Sequence, residues 1–293
     1  MIDYDAKSLR AMFGKPIRPT IPISQQEIAA EAQKLAGKLS ISGVQPKLSV
    51  RLEGDELIPV AEQGQFILKP QTQTFPELPQ NEHLCMGMGE RFGLRTAPCL
   101  LLELSDQTPV YLVKRFDRYR KGRRVEKLAC EDMQQVLGGP DKYAGSHEQI
   151  AQAIIQHCTF GPLELQRLFE TTLFNFAIGN GDAHRKNFSL LTTEDSTVAL
   201  SPAYDLVSSR LVIPSEKEEL ALTVNGRKNR LQRRDFLAFA SHLGIADAYA
   251  EKRIADLLEL QDDFAAMTAE SMMSSELRAR LQDIMAERLD RLR

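Results

Sequence analysis

Apolar and polar positions alternate differently in the two parts of this chain. Between residues 47 and 114, short apolar runs are separated by glycines and polar turns, which is typical of strands. One helix is predicted among them at 76–92, where Leu84, Met88 and Phe92 recur every four residues. The strands are predicted at 47–51, 57–60, 65–69, 99–104 and 110–114. Residues 1–22, which contain three prolines, are predicted to be irregular.

After residue 125 the pattern is mainly helical. Capping-box sequences at 24–27 and 146–149 predict two helix starts, because a serine and a glutamate or glutamine three residues later satisfy each other's backbone N–H groups. An apolar hairpin pattern with a polar turn spans 188–200. The basic run 119–124 is predicted to link a first lobe, 1–118, to a second, 119–293. Helices are predicted at 24–37, 146–158, 162–178, 233–243, 247–270 and 274–292.

The segment GNGDAHRKN at 179–187 carries the clearest chemistry in the chain. It places the carboxylate of Asp182 five residues before the carboxamide of Asn187, and Asp205 follows the predicted hairpin. This order is the layout of a kinase catalytic centre, in which the first aspartate is the base. The asparagine and the second aspartate hold Mg²⁺ on ATP, since Mg²⁺ prefers hard oxygen ligands. The sequence therefore predicts phosphoryl transfer from ATP and a bilobal, protein-kinase-like α+β fold.

Two earlier segments supply candidate phosphate contacts. Lys69 ends a predicted strand, where a kinase lysine reaches the α- and β-phosphates. Glu82 in the following helix is its possible partner, and a solvent-facing glutamate stabilised by the helix dipole is the alternative. The loop SISGVQPK at 40–47 has a single glycine, so it is neither a Walker A loop nor GxGxxG. Its backbone N–H groups and Lys47 could still bind phosphate.

Composition limits the other functions. The 293 residues carry a net charge of −3, which argues against a nucleic-acid binder acting without a basic partner. The N-terminus lacks the order of a signal peptide, and no apolar run is long enough for a membrane span. The four cysteines form no CxxC pair, so they are interpreted as reduced cytoplasmic thiols rather than zinc ligands.

Several motifs, in order, resemble those of HipA-family serine/threonine kinases, the toxins of bacterial toxin–antitoxin systems. The resemblance spans about residues 39–226. With only 39 residues before Ser40, the chain is expected to lack the N-terminal subdomain of HipA and is most similar to HipT of tripartite HipBST systems. The motifs are SISGVQPK at 40–47, FILKP at 66–70, Asn81-Glu82, KRFDR at 114–118, GNGDAHRKNFS at 179–189, LSPAYDL at 200–206 and LTVNG at 222–226.

The resemblance implies roles for individual residues. Asp182 is the catalytic base, and Asn187 and Asp205 are the metal ligands. Ser40 and Ser42 are autophosphorylation sites. His184 is grouped with the ATP-binding residues, with bracing of the catalytic loop as the alternative. The other ATP-binding residues are Gly43, Val44, Gln45, Lys47 and Lys69 at the phosphates, Lys114 and Phe116 at the adenine, and Asp117 near the ribose.

The same resemblance implies a substrate and partners. The acceptor is a serine of an aminoacyl-tRNA synthetase, with tryptophan–tRNA ligase as the best candidate. A HipS-like small antitoxin would replace the absent subdomain, and a HipB-like helix-turn-helix protein would provide indirect contact with DNA. Two alternatives remain: a small-molecule kinase of the aminoglycoside or choline type, and a catalytically silent scaffold of a DNA-binding complex. The presence of Lys69, Asp182, Asn187 and Asp205 argues against the scaffold.

Overall fold

The chain forms two compact units of mixed α+β structure. A computed structural model describes residues 4–28, 45–122, 124–213 and 215–293. The first unit comprises the described residues up to His83 together with Ala97–Lys127. The second comprises Leu84–Thr96 and the described residues of Leu128–Arg293.

An antiparallel sheet of five strands organises the first unit. Its strands are β1 (Leu48–Glu53), β2 (Glu56–Pro59), β3 (Phe66–Pro70), β4 (Cys99–Glu103) and β5 (Pro109–Lys114). They lie in the order β2-β1-β3-β5-β4, so β3 pairs with both β1 and β5. All five strands predicted in this region are confirmed. The register places Lys69 opposite Tyr111, near the end of the central strand.

A short helix, α1 (Ala6–Phe13), packs on this sheet, so the prediction of irregular structure is wrong here. Asp5 caps its first turn, and Gly14, with a φ of 76°, ends it in the left-handed conformation. Leu9 and Met12 are buried in the apolar core of the sheet. Asp5 and Gly14 were the sequence signal for this helix, but the three prolines that follow favoured a prediction of irregular structure.

Two other predictions in the first unit have different outcomes. The basic run 119–124 belongs to a β-hairpin, β6 (Arg118–Lys121) with β7 (Arg124–Lys127), rather than to an irregular linker. The first unit therefore continues past residue 118 to Lys127.

The capping box at Ser24 is present, since its N–H donates to Glu27 Oε2 at 2.7 Å and its Oγ accepts from the Glu27 N–H at 3.4 Å. Residues 25–28 are helical, and the rest of that predicted helix lies outside the described residues.

Helices dominate the second unit. The helix predicted at 76–92 is α2 (Leu78–Phe92), of which the residues from Leu84 onward belong to this unit, and Gly93 follows it with a φ of 94°. The single helix predicted at 247–270 is wrong, because the chain breaks at Leu260 into two helices. The other helices are α3 (Met133–Leu137), α4 (His147–His157), α5 (Gly161–Ala177), α6 (Ser209–Val212), α7 (Arg233–His242), α8 (Asp247–Glu259), α9 (Gln261–Glu270) and α10 (Ser275–Asp290).

A small antiparallel sheet accompanies these helices. The predicted hairpin is confirmed as β9 (Ser189–Thr192) and β10 (Val198–Leu200). A third strand, β8 (Ala129–Asp132), pairs with β9 and was not predicted. The buried Glu164 of α5 accepts the backbone N–H of Leu200 at 3.2 Å, which attaches the hairpin to the helix. The hairpin lies between Asn187 and Asp205 in the chain, so it fixes the backbone that follows the first residue and precedes the second.

Candidate active site

Asp182 lies in a loop that begins where α5 ends. The chain turns at Gly179, whose φ of 70° lies in the left-handed region, where glycine has little conformational strain. Two residues later, a Cβ on Gly181 would lie 2.5 Å from the carbonyl oxygen of Glu218, so a side chain there would displace backbone. Asp182 is half-buried, and its Oδ1 accepts a hydrogen bond of 2.7 Å from the Tyr143 hydroxyl. The proposed base is therefore held by a contact that the sequence did not predict.

A buried amide connects this loop to the segment that carries Asp205. Asn180 Nδ2 donates to Asn175 Oδ1 at 2.8 Å and to the Asp205 carbonyl oxygen at 3.4 Å. Its Oδ1 accepts the backbone N–H of Asp182 at 3.3 Å. Asn180 is 1% exposed, so all these bonds are made away from water. Sequence reasoning missed the role of this residue, although an asparagine two positions before the predicted base was visible.

Asn187 and Asp205 meet through their side chains. Asn187 Nδ2 donates to Asp205 Oδ2 at 3.0 Å, and Asn187 Oδ1 accepts the backbone N–H of His184 at 3.0 Å. Asp205 has a φ of 55°, in the left-handed region that aspartate tolerates better than most residues. The structure brings together the two residues predicted as metal ligands.

The donor set fits a hard divalent cation. A carboxylate offers about four lone-pair sites and an amide oxygen two, so the observed hydrogen bonds leave acceptor capacity. Mg²⁺ commonly takes only one or two protein ligands and completes its shell with phosphates and water. In the described part of the chain, no three His, Cys, Asp or Glu side chains cluster as metal ligands. An asparagine–aspartate pair is therefore suited to a metal that arrives with a nucleotide.

Tyr204 links the hairpin to the catalytic loop. Its hydroxyl donates to the Lys186 carbonyl oxygen at 2.6 Å and lies 2.7 Å from Ser189 Oγ. Burial raises the pKa of Tyr204 well above its ordinary value, so the phenol stays protonated and acts as a donor. Its bonds hold the residue directly before Asp205 against the loop that contains Asn187.

His184 is buried between Lys142 and Tyr143. Lys142 Nζ lies 2.7 Å from His184 Nε2, and the Tyr143 ring stands edge-on at 5.3 Å between centroids. Burial lowers the pKa of His184, and the Lys142 charge adds to this against the opposing charge of Asp182. Because an ammonium only donates, Nε2 is the acceptor and Nδ1 carries the proton. Nδ1 is buried without a hydrogen-bond partner among the described residues, so the side chain braces the loop through Nε2 and its ring.

Lys69 and Glu82 form a buried ion pair in the first unit. Lys69 Nζ lies 2.6 Å from Glu82 Oε1, and each side chain is 5% exposed. The ammonium also lies 5.4 Å from the centre of the Tyr111 ring on β5. The predicted pairing of Lys69 with Glu82 is confirmed, and the alternative in which Glu82 faces solvent is wrong.

The remaining predicted nucleotide contacts have partners within the first unit. Lys114 Nζ donates to the Ala11 carbonyl oxygen at 2.8 Å, and burial lowers the pKa of Lys114. Asp117 accepts two hydrogen bonds of 2.9 Å from Arg115 and another from Arg118. Burial acts to raise the pKa of Asp117, but these arginines outweigh it and hold the pKa below its ordinary range.

The phosphate-loop residues are only partly described. Gln45 Nε2 donates to the Pro70 carbonyl oxygen at 2.9 Å, which attaches the end of that loop to β3. Lys47 is half-buried directly before β1, and Phe116 is half-buried between Arg115 and Asp117. Ser40, Ser42, Gly43 and Val44 lie outside the described residues.

A search for membrane-spanning helices gave a negative result. Among the residues with described structure, none of the helices has the length and apolar character needed to cross a membrane.

Comparison with known proteins identifies the family of this site. Residues 39–264 match the family described as the HipA-like C-terminal domain. The chain belongs to this family. The matched HipA-like region includes Lys69, Glu82, Asp182, Asn187 and Asp205.

Relatives of this HipA-like chain are named as kinases. A protein from Haemophilus influenzae named "Putative kinase" is 26% identical over 92% of this chain and 87% of its own length. The serine/threonine-protein kinase toxin HipA of Shewanella oneidensis is 26% identical over 71% of this chain. The alignment spans 52% of that toxin, about half of its length.

A solved structure shows the same fold. The HipA chain in the complex of Shewanella oneidensis HipA, HipB and operator DNA superposes with a TM-score of 0.73 at 21% identity. The alignment covers 93% of this HipA-like chain and 71% of that one. The predicted α+β fold of HipA-like type is confirmed.

Proposed function

We propose that this HipA-like chain is an ATP-dependent serine/threonine protein kinase that acts as the toxin of a toxin–antitoxin system. The observation that carries the proposal is the contact between Asn187 and Asp205. In the sequence, Asn187 follows the half-buried Asp182 by five residues, and Asp205 comes after the hairpin. An aspartate, then an asparagine and a second aspartate that can hold a metal ion, is the order used for phosphoryl transfer in kinases. The names of the relatives support the same assignment.

In the second unit, Asp182 orients the acceptor hydroxyl and takes its proton as the oxygen attacks the γ-phosphorus of ATP. The bond between that phosphorus and the bridging oxygen breaks, and ADP leaves with the bridging oxygen. Asn187 and Asp205 would hold Mg²⁺, which supplies positive charge to the phosphate oxygens. His184 and Asn180 keep the loop in place through the contacts described above.

In the first unit, Lys69 would contact the α- and β-phosphates while Glu82 keeps its ammonium in position. Lys47 and the backbone at 43–45 would add phosphate contacts. Lys114 and Phe116 are assigned to the adenine and Asp117 to the ribose. The ionised carboxylate of Asp117, held by Arg115 and Arg118, is a suitable acceptor for ribose hydroxyls.

The proposed acceptor is a serine of an aminoacyl-tRNA synthetase, with tryptophan–tRNA ligase as the best candidate. A phosphoserine adds about −1.5 to −2 charge, which would repel an anionic nucleotide from a site made to bind one. Uncharged tRNA would then accumulate and translation in the cytoplasm would stop. The assignment to the HipT type rests on the motifs around Ser40.

A HipB-like DNA-binding protein and a HipS-like small antitoxin are the proposed partners. Support for the first comes from the structural neighbour, which was solved as a complex of HipA with HipB and operator DNA. The net charge of −3 agrees with DNA contact through such a partner rather than through this chain.

The direct test is transfer of labelled phosphate. Purified protein with Mg²⁺ and [γ-³²P]ATP is expected to label tryptophan–tRNA ligase and to label one or few bands in a bacterial lysate. Glutamate–tRNA ligase and heat-denatured tryptophan–tRNA ligase serve as controls for substrate identity and folding. Label that appears only in small molecules would contradict the protein-kinase proposal and favour an aminoglycoside- or choline-type kinase.

Autophosphorylation of Ser40 and Ser42 is expected after incubation with Mg²⁺ and ATP, as an increase of one or two phosphates in intact mass. Phosphate there would compete with ATP phosphates for the same donors, so activity should fall as the modification accumulates. Peptide mapping of the wild type beside Ser40→Ala/Ser42→Ala checks the positions. Wild type and double variant that lose activity at the same rate would contradict self-inactivation through this loop.

A further inference from the structure

Tyr143 is the described side chain that donates a hydrogen bond to the carboxylate of Asp182. Its hydroxyl lies 2.7 Å from Oδ1, which is the length of a strong bond to a charged acceptor. The residue is 39% exposed, so part of the phenol lies at the protein surface beside the carboxylate. Burial, together with the hydrogen bond to Asp182 and its charge, raises the pKa of Tyr143 far above its ordinary value. The phenol therefore keeps its proton and remains a donor.

The loop that carries Tyr143, residues 138–145, is tied to the catalytic loop by Arg185. The backbone N–H of Arg185 donates to the Lys142 carbonyl oxygen at 3.2 Å. Its guanidinium donates to the Gly138 carbonyl oxygen at 3.1 Å and to Gln149 Oε1 at 3.2 Å. Arg185 is 8% exposed, so these bonds join the beginning and the middle of the 138–145 loop, and helix α4, to the catalytic loop largely away from solvent.

At Gly145, a residue with a side chain would be strained and would displace its neighbours. Its φ is 97°, and a Cβ there would lie 2.4 Å from Arg185 Nη2 and 2.2 Å from Gln149 Oε1. Lys142 Nζ lies 4.7 Å from the centre of the Tyr143 ring and 2.7 Å from His184 Nε2. The Tyr143 backbone N–H also donates to Asp141 Oδ1 at 2.9 Å. The tyrosine is fixed by its ring, its backbone and the loop around it.

We propose that Tyr143 is the positioning residue of the acceptor site, holding Oδ1 of Asp182 so that Oδ2 is the oxygen that receives the acceptor proton. The inference rests on the proposed kinase function. A carboxylate with one oxygen fixed cannot rotate about its terminal bond without breaking a charge-assisted hydrogen bond. Proton transfer requires the base within hydrogen-bond reach of the hydroxyl in a defined direction, and a small misplacement is costly. Nucleotide binding does not depend on that direction.

The experiment compares Tyr143→Phe with Tyr249→Phe. Tyr249 is also partly buried, and its hydroxyl donates to the carboxylate of Glu170 at 2.6 Å, so the control removes the same kind of bond. Tyr143→Phe is expected to lower kcat for phosphate transfer about 10-fold or more, which corresponds to a hydrogen bond to a charged group. The KM for ATP and the affinity for ADP should stay within twofold of wild type. Tyr249→Phe should retain the wild-type kcat.

Each outcome decides the role of Tyr143. An unchanged kcat in Tyr143→Phe, with active wild type, would overturn the positioning role alone. A raised kcat would overturn it as well, because Tyr143 would then be competing with the acceptor for Asp182. A loss of ADP binding would assign the residue to structure only. So would a melting temperature so low that the unfolded fraction accounts for the lost activity. Wild type without any phosphate transfer to protein would overturn the proposed function itself, and the role of Tyr143 with it.

Discussion

Replacing Asp182 by alanine should lower phosphate transfer by about 10²–10⁴-fold, which is the usual contribution of a positioned base. The fold should remain, because the side chain is half-buried and its described hydrogen bond comes from the partly exposed Tyr143. ADP affinity should change little, since Asp182 is assigned to the acceptor hydroxyl rather than to the phosphates. Radiolabel transfer, melting temperature and ADP titration of the same preparation measure the three quantities.

The matched control for this variant is Asp290→Ala. Asp290 ends α10, its side chain is 77% exposed, and its surface ion pair with Arg293 is of a kind that contributes little. It should transfer phosphate at the wild-type rate. In cells, expression of the Asp182→Ala protein should permit growth that the wild type arrests. Growth arrest by both proteins would show that toxicity does not depend on phosphate transfer.

The second large effect is expected from Lys69→Met, on stability as well as on activity. Removing one member of a buried ion pair leaves an uncompensated charge, and such changes cost about 3–5 kcal/mol of unfolding free energy. Glu82 would lose the ammonium that lies 2.6 Å from its carboxylate, in a side chain that is 5% exposed. ATP turnover should become undetectable if Lys69 also contacts the phosphates. Denaturant unfolding and ATP titration measure the two losses separately.

The double variant Lys69→Met/Glu82→Leu separates stability from catalysis. Replacing both partners of a buried pair by apolar side chains is often neutral or stabilising, so much of the unfolding free energy should return. ATP turnover should not return with it. A double variant that regains activity would show that Lys69 acts only by pairing with Glu82, and would remove its proposed contact with ATP.

The sequence predicted the local structure around the candidate site well because its signals are local. The β9–β10 hairpin has an apolar pattern on both sides of a polar turn, and the capping box at Ser146 uses residues three positions apart. Asn187 and Asp205 flank that hairpin, so predicting the hairpin was enough to predict their convergence. These features needed no knowledge of distant contacts.

The missed features depend on residues that are far apart in sequence. Strand β8 pairs with β9 although about 60 residues separate them. Tyr143 belongs to no motif, and its proximity to Asp182 arises only when Arg185 joins the two loops. The break between α8 and α9 at Leu260 could not be predicted from a helix-breaking residue, because 247–270 contains neither proline nor glycine. For β8 and Tyr143, contacts between distant residues rather than local propensity determine the result.

The backbone of Asp205 gives this HipA-like chain a trade-off between stability and activity. At a φ of 55° a glycine would be conformationally less strained than any residue with a side chain, so sequence changes that relax the fold are available here. They would remove the carboxylate that contacts Asn187. If Asp205 is the metal ligand proposed above, selection for stability and selection for metal binding act in opposite directions at this position. A thermostabilised form should be sought at other sites, with Asp205 left unchanged.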